Sequence, residues 1–141
     1  MRPPHDSGSL LSFTTRWRVR SYELDGNGHV NNSVYLAYAE EVATLHAEGL
    51  GFGRQWTLDN GGTWVVHKHE IVYHRPAVYG DELELTTRVT QMRGARGLRA
   101  TSIRLLDGQL VADITTEWVW VRISDGRPTR VPEAMVRVFY S

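Results

Sequence analysis

No cysteine occurs among the 141 residues. That excludes disulfides, thiolate catalysis and cysteine-held metals. An excess of charge of either sign is also missing, since 16 Lys and Arg balance 16 Asp and Glu. Such neutrality gives no footing to a nucleic acid or an anionic membrane as partner. No apolar run approaches the roughly 20 residues of a membrane span. Met1–Ser12 lacks the long apolar core of a secretory signal, so the expected location is cytoplasmic. Repeats, linkers and low-complexity segments are absent too. The length suits one domain, and such a chain buries roughly two-thirds of its unfolded surface. Residues 1–12, which open with two prolines and polar residues, are expected to be a mobile tail, and 13–141 a single domain.

What is present is concentrated between Tyr22 and Glu41. Gly26 and Gly28 loosen the backbone there, and Asp25, Asn27 and His29 alternate with them. Asn31, Asn32 and Ser33 follow, all residue types that cap helices. A helix is expected from about Asn32 to Glu48, with Val34, Tyr38, Val42 and Leu45 on one face, Tyr35 and Ala39 beside it, and Gly49 as its stop. A carboxylate thus precedes a helix N-terminus, where unpaired N–H groups and the dipole favour negative charge. That pairing suits a reaction in which a carboxylate activates water while a carbonyl oxygen gains charge.

Elsewhere the pattern is one of strands. Arg16 to Arg20 alternates, with Trp17 and Val19 on one face and arginines on the other. Gly51 to Gly62 reads as a loop. A long strand follows from Gly62 to Arg75, ended by Pro76, with Val65, His67, His69, Ile71 and Tyr73 on one face. Further strands are expected at about Glu82–Met92, Leu98–Leu106 and Leu110–Ile123. Gly94–Gly97 and Asp107-Gly108 are their turns, and a short tail ends the chain. This composition alone says α+β.

The segment Asp25-Gly26-Asn27-Gly28-His29-Val30-Asn31-Asn32, with Tyr35, Glu40 and Glu41 behind it, resembles the signature of hotdog-fold acyl-thioester hydrolases of the 4-hydroxybenzoyl-CoA thioesterase-like group. The spacing of Asp25, Asn27 and His29 is also similar to that of acyl-ACP thioesterases. Tyr73-His74-Arg75-Pro76-Ala77-Val78-Tyr79-Gly80-Asp81 resembles a second segment of the family, and Gly126-Arg127-Pro128 with Val131-Pro132 its C-terminal ending. The resemblance spans about Arg16 to Met135. It implies a curved antiparallel sheet wrapped around one long helix, and thioester hydrolysis without a cofactor or metal. It also implies an acyl-CoA or acyl carrier protein thioester as substrate. At least a dimer is implied, joined at sheet edges, with a tetramer possible. Asp25 matches the catalytic carboxylate, as general base or as nucleophile, and Asn32 the residue whose backbone N–H holds the thioester oxygen.

Other candidates divide between roles. Asn27 and His29 either take part in catalysis or shape the loop, and His29 could position water. Tyr35 and His67 are candidates for binding substrate. His67 and His69, on one expected strand face, are half a metal site or, more in keeping with the family, pocket lining or interface packing. Arg93, Arg96 and Arg99 flank a hairpin tip and could grip the phosphates of coenzyme A. Glu40 and Glu41 are reserve carboxylates or a solvated helix face. Rival functions on the same fold are a hydratase or dehydratase of acyl thioesters, and a module that binds acyl groups without reaction.

Overall fold

The computed structural model describes residues 12–140. All of the expected tail except Ser12 lies outside them, and Ser12 already belongs to a strand. The strands are β1 (Ser12–Arg18), β2 (Gly62–Tyr73), β3 (Glu82–Arg93), β4 (Arg96–Leu105) and β5 (Leu110–Arg122). They form one five-stranded sheet in the order β1-β3-β4-β5-β2, every pairing antiparallel. Helix α1 (Val34–Gly49) packs against β1, β3 and β5. The curved sheet with its helices is consistent with the hotdog thioesterase fold.

Helix α1 starts two residues later than its sequence suggests. Asn31 Oδ1 accepts from both the backbone N–H (3.0 Å) and the hydroxyl (2.9 Å) of Ser33. The Asn31 side chain therefore closes a turn ahead of the first helical residue. The buried face of α1 is Tyr35, Tyr38, Ala39, Val42, Ala43 and His46, a repeat of three and four residues. It includes a polar residue, His46, that an apolar pattern passes over.

Two corrections concern helices. The expected loop from Gly51 to Gly62 contains a short helix, α2 (Arg54–Asp59), and the expected tail ends in α3 (Glu133–Tyr140). Met135 and Phe139, four residues apart on α3, cover the end of the sheet beside Val89, Met92 and Trp120. A second cluster lies under the first half of α1, where Tyr35, Tyr38 and Val42 meet Leu83, Leu85, Ile103 and Ile114.

A third correction concerns β2. Its pairing with β5 slips between Val66 and Lys68, so His67 is the extra residue of a bulge. The bulge flips the alternation. Trp64 and Val66 face inward before it, and His69 and Ile71 after it. His67 and His69 therefore point to opposite faces instead of sharing one.

Gly62 opens β2 for a steric reason. A Cβ there would sit 2.5 Å from the indole of Trp120, which is itself buried against Trp56 and Trp64. Gly62→Ala is expected to destabilise the chain by about 1–3 kcal/mol, the usual cost of overpacking. Its thermal melting midpoint measures this.

Candidate active site

The loop before α1 is built around the Asp25 carboxylate. Asp25 N–H donates to the His29 carbonyl (2.7 Å) and Gly28 N–H to the Asp25 carbonyl (3.2 Å), closing a tight turn. Gly28 sits at φ +77°, where a side chain is disfavoured. Asp25 Oδ1 accepts from Asn27 N–H (2.8 Å) and His29 N–H (3.1 Å). Oδ2 has no hydrogen-bond partner among the described residues. One oxygen is thus pinned and the other left open to a ligand or water. The side chains of Asn27 and His29 are exposed and make no hydrogen bond among the described residues. Within one chain both residues serve the carboxylate through their backbone.

Asn32 follows at the tip of α1. Its backbone N–H donates to no described residue and lies one residue ahead of the helix N-cap, Ser33. Its carbonyl accepts from the Tyr73 hydroxyl at 3.0 Å, tying the helix start to the end of β2. The loop is held from below by the second segment that the sequence singled out. Val30 N–H donates to the Ala77 carbonyl (2.8 Å), and Ala77 N–H donates to the Tyr35 hydroxyl (3.2 Å). Ala77 is 0% exposed, which explains a small residue there. Asp81 Oδ2 in turn accepts from Val78 N–H at 2.9 Å.

Tyr35 therefore needs correcting as a candidate for contact with substrate. It is 2% exposed, and its hydroxyl serves the loop instead of a cleft. Burial, first of all, raises its pKa above the ordinary phenol value.

Glu23, which the sequence gave no reason to single out, is a buried carboxylate two residues before Asp25. Its Oε1 accepts from the Tyr38 hydroxyl (2.6 Å) and Arg20 N–H (2.8 Å), and Arg20 Nη1 donates to Oε2 (3.3 Å). Burial and donation to Glu23 push the Tyr38 hydroxyl far above the ordinary phenol range. Asn31 N–H donates to the Glu23 carbonyl at 2.9 Å, so Glu23 fixes both ends of the Asp25 loop. Glu23→Ala leaves these buried donors unmatched and is expected to destabilise by about 1–3 kcal/mol, read from a denaturant melt.

The remaining candidates lie elsewhere in the chain. Arg93 and Arg96 stand at the β3–β4 turn, where Arg96 pairs with Val119 and Val119 with Val65. Val65 precedes Tyr73 by eight residues, so this end of the sheet is roughly 25 Å from the Asn32 contact. The chain does not bring these arginines to its own Asp25. Arg96 Nη1 donates to Glu117 Oε2 at 3.1 Å, and His67 Nε2 lies 3.6 Å from Glu117 Oε1. Arg99 is not at the exposed tip at all: it is buried at 8% exposure, facing inward. His69 Nδ1 pairs with the Thr116 hydroxyl (2.8 Å), and its Nε2 with Glu40 Oε2 (3.2 Å). No group of three or more His, Asp or Glu able to hold a metal occurs among the described residues. No described helix is long and apolar enough to cross a membrane.

Comparison with known proteins bears on the family and the fold. The chain is 36% identical over 108 residues to the long-chain acyl-CoA thioesterase FadM of Escherichia coli K12, covering 76% of this chain and 81% of that protein. It is 29% identical over 126 residues to the acyl-CoA thioester hydrolase YbgC of Escherichia coli O6:H1, covering 88% and 94%. The crystal structure of a 1,4-dihydroxy-2-naphthoyl-CoA thioesterase from Synechocystis superposes with a TM-score of 0.83 at 21% identity, over 91% of this chain and 95% of that one, and so shares the fold. The sequence profile of the thioesterase-like superfamily matches residues 19–139, nearly the whole of the described structure, and the chain belongs to that family.

Proposed function

We propose that the protein hydrolyses acyl thioesters, with acyl-CoA as the substrate class and Asp25 and the Asn32 N–H as its working groups. The observation that carries this reading is the asymmetric carboxylate. Asp25 Oδ1 is held by two backbone N–H groups while Oδ2 has no partner among the described residues, and seven residues on, just ahead of α1, the Asn32 N–H donates to none of them. In the general-base route, Oδ2 takes a proton from water as the water oxygen bonds to the carbonyl carbon. The carbonyl oxygen, now negative, is stabilised by the Asn32 N–H and the helix dipole. Collapse of that adduct breaks the C–S bond, and the thiolate leaves with the proton. In the nucleophilic route, Oδ2 itself attacks the carbonyl carbon, the C–S bond breaks to expel the thiolate, and water opens the resulting anhydride, its proton passing to the thiolate. Both routes use the same open oxygen. Asn27 and His29 support the carboxylate through their backbone N–H groups, and the His29 imidazole would orient water.

The relatives named as acyl-CoA hydrolases favour coenzyme A over a carrier protein. No described group suggests a cofactor. The unpaired edge of β2, with Val65, Val72 and Tyr73 exposed along it, is the surface on which two copies would join. Such a pairing, as a dimer or within a tetramer, would bring the Arg93 and Arg96 of one copy toward the other's loop. A single domain located in the cytoplasm completes the reading.

The test is thiol release from a panel of acyl-CoAs, aromatic and aliphatic, short and long. Multiple turnovers on at least one member are expected. Water addition to an enoyl-CoA without thiol release would assign the site to a hydratase, and tight binding without any turnover to a binding module.

A further inference from the structure

Arg99 is a buried cation with no anion beside it among the described residues. Its Nη1 donates to His46 Nδ1 (2.9 Å) and to the Thr87 hydroxyl (3.3 Å), and its guanidinium lies 5.3 Å from the centre of the Phe139 ring. Arginine only donates, so His46 Nδ1 is the acceptor in that bond. No carboxylate pairs with Arg99 among the described residues. Burial lowers its pKa to about 10, which leaves it charged at neutral pH. An unneutralised buried charge is expensive, and its persistence calls for a partner.

Arg99 forms part of the wall of a cavity of about 240 Å³ between the second half of α1, α2, α3 and the sheet. The wall is mostly apolar, with Phe52, Trp64 and Met92 among its members. A second buried donor in the same wall, Trp118 Nε1, has no hydrogen-bond partner among the described residues. Glu48, the wall's own carboxylate, makes no ion pair with Arg99. The volume suits the end of an acyl chain and is too small for a nucleotide.

We infer that this cavity receives the far end of the acyl group, and that Arg99 selects an acyl group ending in a carboxylate. The inference rests on the thioesterase reading above. His46 follows Val34 by twelve residues, so the cavity lies about 18 Å along α1 from the helix start. A long extended chain held at Asn32 spans that distance. The direct path follows the seam between α1 and β2, past half-buried Leu36 and Ile71 toward Thr44 in the cavity wall, and a chain laid along it would part the His69–Glu40 contact (3.2 Å) that bridges the seam. Against that mostly apolar wall a carboxylate–guanidinium contact is stronger than in water. A terminal methyl would leave the Arg99 charge unmatched.

Hexadecanedioyl-CoA and hexadecanoyl-CoA differ only at that end. The wild-type protein is expected to show at least tenfold higher kcat/KM on the dicarboxylic thioester. Arg99→Met should abolish or reverse the preference, and Arg99→Lys should keep part of it. Equal rates on the pair, or a ratio unchanged in Arg99→Met, overturn the inference. Binding separates it from the chemistry and needs no variant. Wild-type protein should bind decanoate at least tenfold more tightly than decanol, and equal affinities count against Arg99. Should neither thioester be hydrolysed while decanoate is still preferred, the hydrolase reading falls and the anion site stands.

Discussion

Asp25→Asn is expected to fold as the parent does and to lose thioester hydrolysis by about 10²–10⁴-fold, the contribution typical of a positioned general base. The substitution is nearly isosteric. The amide oxygen still accepts from Asn27 N–H and His29 N–H, which hold Oδ1 at 2.8 and 3.1 Å in the parent. What disappears is the open oxygen: an amide nitrogen neither takes a proton from water nor attacks a carbonyl. The measurement is thiol release at saturating acyl-CoA, with circular dichroism and a thermal melt to show the fold intact. Because ground-state contacts are largely kept, kcat should fall much more than KM rises. A folded variant with parental turnover would move the base elsewhere, and Glu40, which contacts His69, would be the next residue to test.

The second large effect concerns a backbone atom. Asn32→Pro removes the N–H at the tip of α1 and is expected to lower kcat by about 10²–10³-fold, as loss of one oxyanion donor does. Asn32→Ala keeps the N–H and should stay within a few-fold of the parent. The contrast is informative because the Asn32 side chain has no assigned role. Proline is tolerated ahead of a first turn, where the missing N–H bonds nothing within the helix. The Tyr73 bond to the Asn32 carbonyl uses the other side of the residue and survives both changes. Equal activity of the two variants would remove the Asn32 N–H from the mechanism.

These two expectations and the Arg99 inference concern opposite ends of one helix. At the N-terminal end, the Asn32 N–H is the group proposed to meet a reacting carbonyl. The C-terminal half carries His46, which anchors a buried guanidinium to the same helix. Helix α1 would then read a substrate twice, once at the thioester and once at the far end of its chain.

The sequence by itself determined a good deal. The 22–41 and 73–81 segments are short and local, and their glycines, asparagines and aspartates act on neighbouring backbone. Turn chemistry of that kind is written within a few residues, so the Asp25 loop was legible before any coordinates. The strands were legible too, because their alternation is a local period. Only the tertiary structure decided the rest. Ala77 is small because Val30 and Tyr35 close over it, and neither is its neighbour in sequence. The bulge at His67 exists only as a mismatch between β2 and β5, so it could not be seen in β2 alone. Tyr35 is buried because its hydroxyl accepts from the N–H of distant Ala77. Arg99 looked like one more arginine near a turn, yet β4 turns it inward beneath His46. Local pattern fixes what a residue can do, while packing against distant segments fixes which face it turns and what it meets there.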